Sequence, residues 1–173
     1  MTATRPALTL AHTTIDSPIG PLALFATELG LARVALAPFD ALVWRLAGAL
    51  GARPVDQPER LDGARRQLGQ YFDRLRRVFD LKLDLGLVGG FTRAVLKEVN
   101  LLPYGHVRSY GEIAAALGRP RAARAVGNAC AANPVPLVVP CHRVIRADGS
   151  LGGYAGREDI KRALLRLEGV KLA

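Results

Sequence analysis

Cys141 stands between Pro140 and His142 in the stretch LVVPCHRVIRADGSLGGYAG, residues 137–156, an apolar run that carries one thiol and then opens into glycines. A thiolate is a soft, strong nucleophile, but an unperturbed thiol has a pKa of about 8.5 and is mostly protonated at neutral pH. Nucleophilic work at Cys141 therefore needs a base. A cysteine in an apolar run is more often a small hydrophobe than a reagent, and Cys130, on a helix face with Ala123 and Val126, takes that reading. The setting of Cys141 is different. Pro134, Pro136 and Pro140 have no amide donors, so their segment cannot complete ordinary ladder bonding and calls for a side chain that both donates and accepts. Asn133 is placed to brace it.

The elements that must hold these residues follow from periodicity. FTRAVLKEVNLL reads as a helix ended by PYG. SYGEIAAALG carries Ser109 and Glu112 at capping-box spacing, with Gly118 as the stop, and RPRAARAVGNACAAN begins with Pro120 as the first helical residue. Two helices joined by the short turn LGR form a helix-turn-helix. The second is nearly bare of large side chains and sets Arg121, Arg124 and Asn128 on one face. Such a helix suits tight packing on a neighbouring helix and equally suits close approach to nucleic acid. The basic face favours DNA. The last helix, REDIKRALLRLEG, puts Ile160, Ala163, Leu164 and Leu167 on one stripe and ends at Gly169.

In the first half, LTLAHTTI, PLALFAT and LARVAL read as strands of a small antiparallel meander, separated by the turn signals DSPIG and ELG. Phe39, Leu42, Val43, Leu46 and Leu50 share one helical face, and Leu61, Ala64, Leu68, Tyr71, Phe72 and Leu75 share another. FDLKLDL alternates like a strand before the GLVGG hinge. The fold class is therefore α/β (α+β). A small N-terminal domain, residues 1–87, has an antiparallel sheet and helices; a mostly helical C-terminal domain, residues 88–173, carries the helix-turn-helix.

Composition sets the function classes. The 173 residues are 50% hydrophobic, enough for a core, and no apolar run approaches the roughly 20 uncharged residues that span a bilayer. Together with an N-terminus lacking a signal pattern, this predicts a soluble, cytoplasmic protein with no membrane partner. The net charge of +9 points to an anionic partner, and it is uneven: residues 88–173 carry 13 Lys/Arg against 6 Asp/Glu, residues 1–87 carry 11 against 9. Two cysteines make no disulfide scaffold, and three histidines in no ligand spacing suggest no metal.

The second half resembles the O6-alkylguanine-DNA alkyltransferases, or methylated-DNA-protein-cysteine methyltransferases. PCHRV, residues 140–144, carries the likeness, within NPVPLVVPCHRVI (133–145). It extends, in family order, through PYGHVRSYGEIA (103–114), RAVGNA (124–129), DGSLGGYAG (148–156) and LLRLEG (164–169). Any one piece is a weak signal; their order and spacing together are specific. The first half is similar to the family only in the order of its strands and helices, which implies a supportive role.

The resemblance implies a single-turnover DNA-repair reaction in which Cys141 takes the alkyl group of O6-alkylguanine irreversibly, with O4-alkylthymine an open second substrate. It implies His142 as the base acting through water, Glu168 as its orienting partner and Asn133 as the brace. Tyr110 would supply a proton to the leaving base, and Arg124 would fill the duplex after minor-groove nucleotide flipping. Arg121, Asn128, Ser109 and Tyr110 would join Arg124 on DNA. Val135, Pro136, Val144, Tyr154, Ala155 and Gly156 would form the guanine pocket, with backbone groups near Cys141 and Val144 reading the base edge. The family's optional zinc site has no counterpart, since residues 1–87 hold no cysteine and one histidine, His12. No cofactor and no metal are expected. The implied partner is double-stranded DNA containing O6-alkylguanine, met by an expected monomer whose cooperativity on DNA stays open. The competing readings are a non-catalytic alkyl-lesion sensor that recruits other repair factors and a plain helix-turn-helix regulator; the presence of Cys141 argues against the sensor.

Overall fold

The computed structural model describes residues 8–36 and 41–172, so Phe39 and its share of the first helical face lie outside the described residues. The chain divides into two compact units. One comprises the chain up to Gly69 together with Asp80–Leu87, the other Gln70–Phe79 together with the chain from Val88. The GLVGG hinge thus falls at a boundary between units, while Gln70–Phe79, placed by the sequence in the first domain, packs with the second.

In the first unit, strands β1 (Thr9–Ile15), β2 (Leu22–Thr27) and β3 (Gly30–Leu36) form the expected antiparallel meander. Every residue of β2 is buried, as its central position requires. Helix α1 (Leu42–Leu50) ends at Gly51 in the left-handed conformation and leads into β4 (Arg53–Val55). β4 pairs in parallel with β1, giving the order β3-β2-β1-β4, so the sheet is antiparallel with one parallel edge strand. Leu10, Phe25, Leu42 and Leu46 share the core between sheet and helix.

FDLKLDL makes only a one-residue bridge, Leu31 with Leu83, rather than a strand. The side chain of Gln67 takes both backbone groups of Asp80 at 2.8 Å, which a ladder would have needed. Gly30 is required where this segment passes: a Cβ there would lie 2.4 Å from the carbonyl oxygen of Lys82.

Helix α2 (Asp62–Phe72) starts in the first unit, and its last turn, from Gln70, belongs to the second. Leu61, Ala64, Leu68 and Tyr71 are buried as their phase predicts. Leu75 is 80% exposed because the helix has ended and the chain reverses at Arg74, φ 61°.

The second unit holds α3 (Gly90–Val99), the two-residue strand β5 (Arg108–Ser109), α4 (Tyr110–Ala116), α5 (Ala123–Ala131), strand β6 (Val144–Ile145) parallel to β5, and α6 (Glu158–Leu167). The capping box at α4 is complete: Ser109 Oγ accepts from Glu112 N–H and Glu112 accepts from Ser109 N–H. Its C-terminus closes through Gly118 (φ 70°) with Arg119 N–H donating to Ala114 O at 2.9 Å. Pro120 lies in the turn rather than in the first helical position, since α5 begins only at Ala123 after Ala122 N–H bonds Arg119 O at 2.8 Å. α5 buries Val126 and Ala129 and leaves Arg124 and Asn128 exposed, so tight packing and an outward basic face coexist on one helix. α6 buries Ile160, Lys161, Leu164 and Leu165. Ala163, expected inside, is exposed: the stripe runs one residue further round than the leucine spacing suggested, and it takes in a lysine.

Candidate active site

The segment from Asn133 to Arg143 is a stiff mount. Asn133 Nδ2 donates to Val139 O at 2.9 Å and to Cys141 Sγ at 3.2 Å, and its Oδ1 accepts from Val135 N–H at 3.0 Å. Leu137 adopts a left-handed φ of 75° between those bonds. Pro140, at φ −82° and ψ 62°, is the centre of an inverse γ-turn closed by Cys141 N–H to Val139 O at 2.8 Å. The proline ring presets that φ, and a single 3-10 turn, Cys141–Arg143, follows. Asn133 thus braces the proline segment as its donor-acceptor chemistry suggested, and it also touches the sulfur.

Cys141 is 5% exposed. Burial pushes its thiol up, opposed by the Asn133 hydrogen bond, the positive charge of Lys161 and an interaction with the Tyr154 side chain. The resting group is a protonated thiol. Cys130 is half-buried, and burial raises its thiol to about 12, in keeping with a structural role.

His142 and Glu168 are brought together completely: Nε2 lies 2.7 Å from Oε1, and both side chains are fully buried. Burial lowers the imidazole, outweighing the carboxylate that favours its charge. An anionic Oε1 requires the proton on Nε2, which leaves Nδ1 as a lone-pair acceptor. Nδ1 is buried and has no hydrogen-bond partner among the described residues. Burial alone would raise Glu168, yet the bonds from His142 and Arg143 hold it down at about 2.

Three residues at this site escaped the sequence reading. Arg143 grips Glu168 through Nε and Nη2, both at 2.9 Å, and bonds Leu102 O through Nη1 at 2.5 Å. Its place in PCHRV was visible, and the need of a buried carboxylate for a counter-charge was the signal for it. Tyr71 donates its hydroxyl to Glu168 Oε1 at 2.7 Å. With Gly105 N–H at 2.9 Å, five donors surround one carboxylate. Lys161, fully buried, donates to Val144 O at 2.5 Å and to Tyr110 Oη at 3.4 Å, with its ammonium 5.6 Å above the Tyr110 ring. Burial lowers it to about 8, and Cys141 acts on it in the opposite sense.

Tyr110 stands at the first position of α4, against Gly127 of α5 and Gly152 of the glycine-rich loop. A Cβ on Gly152 would come within 2.8 Å of its hydroxyl oxygen, so only glycine lets the loop pass. Burial raises the phenol to about 12. Of the expected pocket residues, Val135 and Val144 are fully buried, Pro136 and Tyr154 half-buried, and Ala155 and Gly156 exposed on a turn where both have positive φ. Val144 O has already given one lone pair to Lys161. Of the expected DNA-facing residues, Arg121, Arg124 and Asn128 are exposed, while Ser109 and Tyr110 are half-buried, Ser109 being committed to its cap.

Residues 90–170 match the 6-O-methylguanine DNA methyltransferase DNA binding domain, and residues 10–85 match the ribonuclease-like domain of the same family. The chain belongs to that family. Among its relatives, the methylated-DNA–protein-cysteine methyltransferase of Methanosarcina barkeri is 42% identical over 89% of this chain and 94% of that one. The protein of that name in Mycobacterium tuberculosis is 43% identical over 91% of each chain, and the human one 37% over 94% of this chain and 82% of that one. The fold follows the crystal structure of Mycobacterium tuberculosis OGT in complex with DNA, with a TM-score of 0.78 at 41% identity over 92% and 93% of the two chains.

Proposed function

We propose that the protein repairs O6-alkylguanine in double-stranded DNA by transferring the alkyl group to its own Cys141. The single observation that carries this reading is the pairing of an Asn133-held thiol with a neutral histidine whose Nε2 is locked on Glu168 and whose Nδ1 is left as an acceptor. The Cys141 proton passes through a water to His142 Nδ1. The thiolate then attacks the alkyl carbon in line, the S–C bond forms as the C–O6 bond breaks, and the electron pair stays on the guanine. Tyr110 hands a proton to the leaving base, its ammonium neighbour Lys161 supporting the loss. The positive charge of Lys161 also favours the nascent thiolate. The thioether is stable and the thiol is not regenerated, so each molecule reacts once and no cofactor is consumed.

The stacked duplex hides O6 from a buried sulfur, so the nucleotide is extruded at a cost of a few kcal/mol. Arg124, exposed on α5 with Asn128 one turn on, is the residue we assign to the minor groove and the gap. Arg121 and Ser109 join them on the backbone, and Val135, Pro136, Val144, Tyr154, Ala155 and Gly156 receive the base. Residues 88–173 are the reacting domain, working as a monomer in the cytoplasm, with residues 1–87 in support. Among the described residues no helix is long and apolar enough to cross a membrane.

The test is mass spectrometry of the Cys141 peptide after incubation with a duplex containing O6-methylguanine. One added methyl is expected on wild type and none on Cys141→Ala. Lesion-selective binding with no added mass would instead support the sensor.

A further inference from the structure

Tyr71 is a group at this site to which alkyl transfer assigns no task. Its ring is fully buried and wedged among Phe72, Phe79 and Tyr104, with centroids at 5.4, 5.5 and 6.1 Å. The hydroxyl therefore has a single direction, toward Glu168 Oε1 at 2.7 Å. That oxygen also accepts from His142 Nε2 at 2.7 Å, and the Tyr71 oxygen lies 3.5 Å from the same Nε2. Tyrosine and histidine share one acceptor atom, and what one withdraws the other feels.

We infer that Tyr71 is a positioning residue of the proton relay: its O–H fixes the Glu168 carboxylate and draws its negative charge away from the His142 imidazole. The inference rests on His142 being the base. A carboxylate whose charge is already spread over Tyr71 and Arg143 stabilises an imidazolium less than a bare one does. His142 accordingly rests neutral beside an ionised Glu168, with Nδ1 free to accept the Cys141 proton. The residues that accomplish this, Tyr71 and its packing partner Phe79, come from Gln70–Phe79, the segment that the sequence assigns to the supportive half and that packs in the second unit. The relay therefore draws on both halves of the sequence.

Without the tyrosine O–H, Oε1 turns its full charge on His142, the imidazole holds its proton more tightly, and a smaller fraction is neutral at a given acidic pH. In Tyr71→Phe, full-length, the acid limb of the single-turnover rate against pH on O6-methylguanine duplex should move up by about one pH unit, the size of one charge-assisted hydrogen bond. Replacing Tyr71 by 3-fluorotyrosine, a stronger donor of the same shape, should move it down. Tyr104→Phe removes a hydroxyl that bonds Leu167 O at 3.1 Å instead, and should leave the limb in place. An unmoved limb in both Tyr71 variants, or an equal shift in Tyr104→Phe, overturns the inference, whatever happens to the rate plateau. NMR titration of the His142 ring separates the Tyr71–His142 coupling from the alkyl transfer it serves. Should wild type transfer no methyl group, the proposed function falls, while a His142 pKa raised in Tyr71→Phe still upholds the coupling and an unchanged one rejects it.

Discussion

Asn133 holds the sulfur of Cys141 at 3.2 Å with the same amide nitrogen that bonds Val139 O at 2.9 Å, so one side chain sets both the loop and the nucleophile. Asn133→Ala would strip the loop of these bonds and leave Val135 N–H buried without a partner. The expected cost is about 2–4 kcal/mol, read from urea denaturation, together with slower transfer to Cys141. A variant as stable as wild type would contradict the bracing role.

Glu168 makes stability depend on pH. Its carboxyl sits at about 2 in the fold against an ordinary 4.5. The contribution is complete above the ordinary value and is lost as pH falls through the folded value, on the order of 3 kcal/mol in all. Glu168→Gln leaves Arg143 buried without its counter-charge and should lose about 3–5 kcal/mol at neutral pH. Denaturant titrations between neutral pH and pH about 2 should show the wild-type slope flattened in the variant.

Lys161 acts in the alkaline range. Its amine sits at about 8 against 10.5. The unfolded chain binds the extra proton between those values, so Lys161 by itself makes stability rise with pH across that window, while the buried thiols of Cys130 and Cys141, both raised in the fold, act in the opposite sense. Lys161→Met should remove the lysine's share, so that the stability of wild type relative to the variant grows with pH across the window, and, by removing the charge near Cys141, should slow transfer at neutral pH. A difference that stays constant across the window would contradict the lowered amine.

Gly152→Ala is predicted to displace Tyr110. The added methyl would lie 2.8 Å from the tyrosine oxygen at a residue with φ 69°. Stability should fall by about 1–3 kcal/mol, and transfer should fall further than Tyr110→Phe alone explains, because the loop moves too. Single-turnover rates of the two variants and the double variant decide this.

Arg124→Ala should slow repair of duplex DNA by about 10- to 100-fold, the worth of the few kcal/mol needed for extrusion. Reaction with free O6-benzylguanine should be little changed, since no duplex has to be opened. Equal losses on both substrates would remove Arg124 from the flipping step.

The helix-turn-helix, its capping box and the three-strand meander were legible because their signals are local. Ser109 and Glu112 meet within one turn, and alternation over a few residues is enough to define a half-buried strand. FDLKLDL misled for the same reason: alternation says nothing of Gln67, which takes up the backbone of Asp80. Pro120 misled because a proline-preset φ suits a turn as well as a first helical turn.

The sequence by itself determined the thiol, its proline mount with Asn133, and the residue types needed for alkyl transfer, since these lie within a few positions and depend on side-chain chemistry. Only the tertiary structure decided what surrounds Glu168. Tyr71 reads in sequence as one more apolar position on a helix, Arg143 as a basic residue beside a histidine, and Lys161 as a polar residue on the outer face of α6. Their roles arise from contacts between elements distant in sequence, 97 residues apart for Tyr71 and Glu168. Burial then sets the protonation states, because the cost of a charge depends on every neighbour in space, and no local pattern encodes that sum.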